Sequence, residues 1–210
     1  LDEGYPEVKL HERTAPALAA ARQAAGAGVP LMVDTNCAWL PHEAAAAVAE
    51  MRPFDPYWIE EPLWPPEDDQ ALQTLQRHGG VALAVGENAS CALALRRMAE
   101  QGVVAYVQPS VIKPGLTAAL DIARACQGTD VVCAPQVAFF GPGYLASLHL
   151  IAALPDDVAL ERLYVDLAQV PYADTVPVRQ GGVDLPDTPG LGAEPQAALF
   201  AGGGAVQAAA

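Results

Sequence analysis

The sequence predicts a parallel β/α barrel of the (β/α)8 type, and two observations carry that prediction. Apolar runs of strand length alternate with Ala-rich runs of helical length. Each apolar run also ends in a polar residue; these residues are His11, Asp34, Glu60, Glu87, Ser110, Gln136 and Glu161. Steps of 23 to 27 residues separate them, and one strand, one helix and two short loops have about that length.

Two parallel architectures fit such an alternation. An open doubly wound sheet should carry a glycine-rich phosphate loop after its first strand, and residues 11–14 (His-Glu-Arg-Thr) contain no glycine. A barrel instead gathers polar residues at the carboxyl ends of its strands, because that face holds the active site. The polar strand ends therefore favour the barrel. Seven strands are visible, and an eighth would have to precede Leu1.

The predicted strands cover residues 7–11, 30–34, 57–60, 81–87, 103–107, 131–135 and 158–161. Five of them end at one of the polar residues, whereas Ser110 and Gln136 follow the ends of their strands by three residues and one. The first predicted helix begins after Thr14, a good N-cap, and ends at Gly26. The second begins at Pro41, because proline is tolerated in a first helical turn, and runs to about residue 52.

The remaining helices are also bounded by local signals. The third starts within residues 65–69, whose acids complement a helix N-terminus, and stops at the glycine pair 79–80. Ser90 is the predicted N-cap of the fourth, which extends to about residue 101. The fifth and sixth are predicted at about residues 117–127 and 144–154.

Composition limits the class of protein and its partners. The 210 residues are 52% hydrophobic, without an apolar run of transmembrane length. The net charge of −14 argues against nucleic acid or an acidic membrane as a partner. The four cysteines form no C-x-x-C pair, so we expect them to be reduced, in a cytoplasmic protein.

Three of the polar strand ends are acids on successive strands, Asp34, Glu60 and Glu87. Neighbouring strand ends share one cavity mouth, where ionised carboxylates about 4 Å apart would repel by roughly 4 kcal/mol per pair. A divalent cation removes this repulsion, and oxygen ligands with room for water suit Mg²⁺ best and Mn²⁺ next. Glu61 adjoins Glu60 but faces the other side of the strand, so we expect only one of them to bind metal.

The motifs around these acids resemble those of the enolase superfamily, in its mandelate racemase and muconate lactonizing enzyme branch. They occur in order and are Val33-Asp34-Thr35-Asn36 with Ala38-Trp39, Trp58-Ile59-Glu60-Glu61-Pro62, Gly86-Glu87-Asn88, Lys113-Pro114-Gly115 and Leu160-Glu161-Arg162-Leu163. The turn-rich stretch at residues 184–192 is similar to the C-terminal return segment of that family. The resemblance implies Mg²⁺ held by Asp34, Glu60 and Glu87. It also implies removal of the proton α to a carboxylate, with metal stabilisation of the enediolate.

The resemblance also implies candidate catalytic bases. In the family a Lys-x-Lys on the second barrel strand often supplies one, and here Lys9-Leu10-His11 places His11 at the second lysine. Lys9 shares a strand face with His11, so we expect both at the cavity, with Lys9 keeping His11 neutral. Lys113 is an alternative base or a salt-bridge partner of a ligand carboxylate.

Other positions are expected to contact the substrate. Glu161 matches a family acid that hydrogen-bonds the substrate carboxylate, and Asn36 and Asn88 are polar neighbours. Racemase-like members carry a His–Asp pair where this chain has Gln136 and Ser110. Gln136 is therefore a candidate substrate contact rather than a base, and two-base racemisation is disfavoured.

The predicted domain organisation is a barrel at residues 1–165, a return segment at 166–198 and a flexible tail at 199–210. The resemblance implies that the first barrel strand and an α+β capping domain are missing. We therefore expect a fragment, a chain completed by another chain, or a decayed homologue.

These observations predict a Mg²⁺-dependent acid-sugar dehydratase acting on a small carboxylate, as a homo-oligomer. The alternatives are a racemase or epimerase of a carboxylate substrate, and a truncated, catalytically silent barrel.

Overall fold

The computed structural model of the protein describes residues 1–155, 158–165, 167, 172 and 179–197. Within them the six strands are β1 (Val8–His11), β2 (Leu31–Asp34), β3 (Ile59–Glu60), β4 (Leu83–Val85), β5 (Tyr106–Val107) and β6 (Val132–Cys133). The helices are α1 (Ala15–Ala25), α2 (Pro41–Met51), α3 (Asp69–His78), α4 (Ala92–Gln101), α5 (Leu116–Cys126) and α6 (Pro142–Ile151). A 3-10 turn, Arg52–Phe54, follows α2.

The sheet follows the order of the chain. Its order is β1-β2-β3-β4-β5-β6, and every neighbouring pair is parallel. A helix connects each strand to the next one, as parallel pairing requires. The predicted β/α barrel class is confirmed, although the sheet of the described residues is open, with β1 and β6 at its edges.

Alternate residues of the strands build two different interiors. One face packs against the helices, where Val33, Ile59 and Leu83 belong to the main hydrophobic core and are fully buried. The other face carries a smaller cluster of Met32, Trp58, Ala84, Tyr106 and Ala134. Two residues after each member of this cluster, on the same side of an extended chain, lie Asp34, Glu60, Gly86, Gln108 and Gln136. The last three follow the ends of β4, β5 and β6. The barrel lumen is thus apolar at one level and polar at the next.

Gly86 lies in this polar layer where two strands approach closely. Its φ is +151°, and an added Cβ would lie 2.5 Å from the backbone oxygen of Gln108. We predict that Gly86→Ala lowers the free energy of unfolding by about 3 kcal/mol or more, because backbone must shift. Gly28→Ala is the matched control, since nothing lies within 4 Å of its added Cβ. Equal denaturation midpoints for the two variants would contradict this prediction.

Two expectations about secondary structure were wrong. Residues 158–161, predicted as the seventh strand, form no strand. The Glu161 carboxylate instead accepts a hydrogen bond from the Val137 amide N–H at 2.9 Å. β6 is only two residues long, and Pro135 has no N–H with which to extend its ladder. Ser90 is not the N-cap of α4: Cys91 is, and the Ser90 amide donates to the Glu67 carboxylate at 2.6 Å.

The first residues of the chain contact the segment after α6. Arg162 donates to the Tyr5 hydroxyl at 2.8 Å, and the Tyr164 hydroxyl donates to Glu3 at 2.7 Å. The two tyrosine rings meet edge to face, with centroids 6.1 Å apart. We call these four residues the terminal clasp; they hold the segment of Glu161 against the start of the chain.

The predictions about the C-terminal part of the chain concern residues that are largely not described. The tail at 199–210 lies outside the described residues, and of the return segment at 166–198 only 167, 172 and 179–197 are described. The domain bounds stay predictions. Among the helices of the described residues, none has the length and apolarity needed to cross a membrane.

Candidate metal centre

Three carboxylates converge at the carboxyl ends of β2, β3 and β4. Asp34 pairs with Glu60 in the β2–β3 register, and Glu87 follows two residues after the end of β4. One oxygen from each residue lies within 4.8 Å of the others. Asp34 and Glu60 are buried, with relative exposures of 4% and 0%. The three acids that the sequence predicted at one cavity mouth therefore lie together in the fold.

Burial and mutual repulsion disfavour ionisation of these acids. Burial, opposed by Lys9 but reinforced by Asp34 and Glu161, raises the pKa of Glu60 to about 7. The pKa of Asp34 is raised, mainly by burial, although Lys9 and His11 act in the opposite direction. The pKa of Glu87 is raised by burial and by the charges of Asp34 and Glu61. Three carboxylates at this spacing gain stability from an added positive charge, and hard oxygen donors suit a small divalent cation.

Lys9 is the cation that the chain itself brings to the cluster. Its ammonium lies 3.0 Å from both carboxylate oxygens of Glu60, 2.6 Å from Glu161 and 3.8 Å from Asp34. Burial lowers its pKa, but the three carboxylates outweigh this and hold the pKa above its ordinary value. Lys9 thus has carboxylate partners on three sides, and its part in catalysis stays a prediction.

The loop after β2 fixes Asp34. The Asn36 amide N–H donates to an Asp34 carboxylate oxygen at 2.9 Å, and Asn36 and Cys37 have positive φ values of 50° and 56°. The Thr35 hydroxyl bonds the carbonyls of Glu60 and Glu61 at 3.0 and 2.9 Å. A left-handed backbone in non-glycine residues is uncommon and is maintained here by these bonds.

Glu61 has a structural environment distinct from that of Glu60. Its carboxylate accepts the backbone amides of Gly86 and Asn88 at 3.3 and 2.6 Å. It also accepts hydrogen bonds from the Asn88 side-chain amide at 2.6 Å and from the Cys37 thiol at 3.3 Å. Burial, followed by the Glu61 charge, raises the pKa of that thiol to about 12. Glu61 thus joins the loops after β2 and β4, and its neighbour Glu60 belongs to the acidic cluster.

We predict different consequences for these adjacent residues. Glu61→Gln should lower the free energy of unfolding by about 1–3 kcal/mol, because an amide cannot accept all of these bonds. It should change Mg²⁺ affinity by less than about threefold, since Glu61 lies outside the cluster of Asp34, Glu60 and Glu87. Chemical denaturation and calorimetry check the two parts. Loss of Mg²⁺ binding by folded Glu61→Gln would show that Glu61 is itself a ligand.

The predicted bases lie on different sides of the cluster. The His11 Nε2 atom is 3.9 Å from Asp34, and its side chain is 66% exposed. The Lys113 ammonium, carried by the turn after β5, donates to the Glu87 carbonyl oxygen. Glu161 reaches the cluster through Lys9, and Gln136 is buried in the polar layer. The Asn88 side chain bonds Glu61, so it supports the loop; its contact with substrate stays a prediction.

Two residues around Glu60 were missed by sequence reasoning. The Trp58 indole N–H donates to Glu60 at 3.2 Å, and the Gln108 side chain lies beside the same carboxylate and lowers its pKa. Within the described residues, the Gln108 Oε1 and Ser110 Oγ atoms are buried without a hydrogen-bond partner. Trp58 precedes Glu60 by two positions on the same strand face, a signal that was available; Gln108 needed the register of β4 with β5.

Comparison with known proteins gives the site a family context. Residues 1–199 match the family model described as enolase C-terminal domain-like. A 3,6-anhydro-alpha-L-galactonate cycloisomerase of Streptomyces coelicolor is 27% identical over 190 residues, covering 90% of this chain and 50% of the relative. A D-xylonate dehydratase of Haloferax volcanii is 25% identical over 178 residues, covering 82% and 42%. The chain thus spans half or less of the length of these relatives.

Solved structures agree with the fold. A 3,6-anhydro-D-galactonate cycloisomerase from Zobellia galactanivorans superposes with a TM-score of 0.85 at 26% identity, covering 95% of this chain and 58% of that one. A racemase from Streptomyces coelicolor with bound magnesium gives a TM-score of 0.80 at 25% identity, covering 92% and 54%.

Proposed function

This chain belongs to the enolase C-terminal domain-like family, and on that premise we propose that it binds Mg²⁺ through Asp34, Glu60 and Glu87. We further propose that it promotes removal of the proton next to a substrate carboxylate. The observation that carries the proposal is the convergence of the three acids within 4.8 Å. The magnesium in the related racemase supports the choice of metal. When bound, the cation would stabilise the second negative charge that develops on the substrate carboxylate.

The residues around the cluster supply the proton chemistry. His11 is our first candidate for the base, because its imidazole is exposed and lies 3.9 Å from Asp34, at the edge of the cluster. Lys113 is the second, beside the Glu87 backbone. Lys9, charged through Glu60 and Glu161, is available to attract an anionic substrate. Glu161 would orient that substrate and the Lys9 ammonium.

Dehydration of an acid sugar is the reaction that we favour. Several relatives carry dehydratase names, including a D-gluconate dehydratase of Thermoproteus tenax that is 24% identical over 184 residues. One base suffices when the proton leaves the α-carbon and hydroxide leaves the β-carbon, so that water is released. Ser110 and Gln136 offer no second titrating group near neutrality on the far side.

The test is turnover of a panel of sugar acids with Mg²⁺, followed as formation of the dehydrated keto acid. We expect His11→Asn to abolish turnover of any accepted substrate while keeping Mg²⁺ binding within a fewfold. Arg13→Met, an exposed change next to the same strand, is the control and should keep the wild-type rate. Turnover undiminished in His11→Asn but lost in Lys113→Met would transfer the role of base to Lys113.

A racemase or epimerase is the second candidate, because His11 and Lys113 approach the cluster from different strand ends. The reaction in deuterium oxide separates the two activities. Deuterium in both stereoisomers without loss of water would establish racemisation and reject the dehydratase. Mg²⁺ binding without turnover across the panel would favour a catalytically silent barrel.

A further inference from the structure

The Glu60 carboxylate is already surrounded by donors. It accepts two bonds from the Lys9 ammonium and one from the Trp58 indole, and the Gln108 side chain beside it lowers its pKa. A carboxylate has about four lone-pair positions. Lys9 lies 3.0 Å from both carboxylate oxygens, so a metal ion that binds Glu60 competes with bonds already made there.

The neighbours of Glu60 differ in how easily they can move away from its carboxylate. Trp58 is a buried neutral donor whose ring lies 4.8 Å from Tyr106 and 5.5 Å from Tyr57, measured between centroids. Moving that ring would disturb the packed layer of the lumen. Gln108 is fully buried in the same polar layer as Glu60 and is likewise neutral.

Lys9 is the contact that a divalent cation opposes. Its charge would be repelled by the incoming ion, and its flexible side chain allows the ammonium to move. Glu161 already holds that ammonium at 2.6 Å, closer than the 3.0 Å to Glu60. Lys9 can thus leave Glu60 and keep a carboxylate partner.

We propose that Lys9 is an exchangeable counter-ion of the metal centre: it gives up Glu60 to the divalent cation and remains on Glu161, while Trp58 keeps its bond and positions Glu60. This inference rests on the proposed Mg²⁺ site and concerns the chain's own residues. It makes Lys9 a competitor that sets the affinity for the cation, and Trp58 a positioning residue.

Nuclear magnetic resonance on the unmodified chain tests the exchange directly. The sequence contains two lysines, Lys9 and Lys113, and three tryptophans, so the labelled side-chain spectra are simple. Lys113→Met and Trp58→Phe assign the signals. During titration with Mg²⁺ alone, we expect a large shift of the Lys9 side-chain signal and a small shift of the Trp58 indole N–H signal. An unmoved Lys9 signal at saturation, or a larger movement of Trp58, would overturn the proposal.

A second measurement uses the sign of a change in affinity. Lys9→Met removes the competing charge at similar length, so calorimetry should show Mg²⁺ binding that is about tenfold tighter. Arg13→Met removes an exposed charge and should change the affinity less than about twofold. Weaker or unchanged binding by Lys9→Met would overturn the competition. If the wild-type chain binds no Mg²⁺, the proposed function fails together with this inference; if it binds with Lys9 unmoved, only this inference fails.

Discussion

Glu60→Gln is expected to weaken Mg²⁺ binding by about a hundredfold or more. Glu60 is fully buried between the other two acids of the cluster, and an amide offers the cation a neutral oxygen in place of a charged one. In the proposed three-carboxylate site, this substitution removes a charged ligand and should therefore cause the largest loss of Mg²⁺ affinity that we foresee. Isothermal calorimetry with MgCl₂ on the purified chain measures it.

A matched variant separates loss of the ligand from loss of charge. Glu100→Gln makes the same substitution on α4, where Glu100 is exposed and pairs with Arg96 at 2.8 Å. Its Mg²⁺ affinity should equal that of the wild type within about twofold. If folded Glu60→Gln binds as tightly as Glu100→Gln, Glu60 is not a ligand and the proposed centre is wrong.

The second large effect is an inverted dependence of stability on pH in the metal-free protein. The pKa of Glu60 rises from 4.5 to about 7 on folding, so the folded state favours the protonated acid. The stabilising contribution of this group is present below about pH 4.5 and is lost as the pH rises through about 7. At pH 8 the ionised Glu60 should destabilise the fold by on the order of 2 kcal/mol.

Comparing Glu60→Gln with the wild type isolates this contribution. At pH 5 the two metal-free proteins should melt within a few degrees of each other, since both carry a neutral side chain. At pH 8 the variant should melt about 4–8 °C higher. Saturating Mg²⁺ should raise the melting temperature of the wild type at pH 8 but not that of the variant. A difference in melting temperature that does not grow with pH would contradict the raised pKa.

The sequence alone was sufficient to predict the features that follow from the regular alternation of strands and helices. The acids at the ends of successive strands had to meet, because parallel strands place their carboxyl ends together, and Asp34, Glu60 and Glu87 do meet. Strand alternation also separated Glu60 from Glu61 correctly, one in the cluster and one between loops. The β/α barrel class followed from the same regularity, whereas the family was identified by the resemblance of the motifs around these acids.

The features that the sequence did not predict depend on contacts between residues far apart in the chain. The Ser90 error arose because a local capping signal competed with the Glu67 carboxylate, 23 residues away. The run ending at Glu161 looks like a strand, yet its environment is set by Val137, Lys9 and the terminal clasp. The predicted homo-oligomer and cytoplasmic location stay predictions.

The terminal clasp has a consequence for the order in which the protein folds. Each strand pairs with the preceding one, so the sheet grows by closing short loops, whereas the clasp joins residues 157 and 161 positions apart. Loop-closure entropy makes such distant contacts slower to form and favours their opening first. The three acids lie within the locally paired part, and Glu161 lies beside the clasp. We therefore expect a partly folded chain to bring the three acids together before Glu161 reaches Lys9.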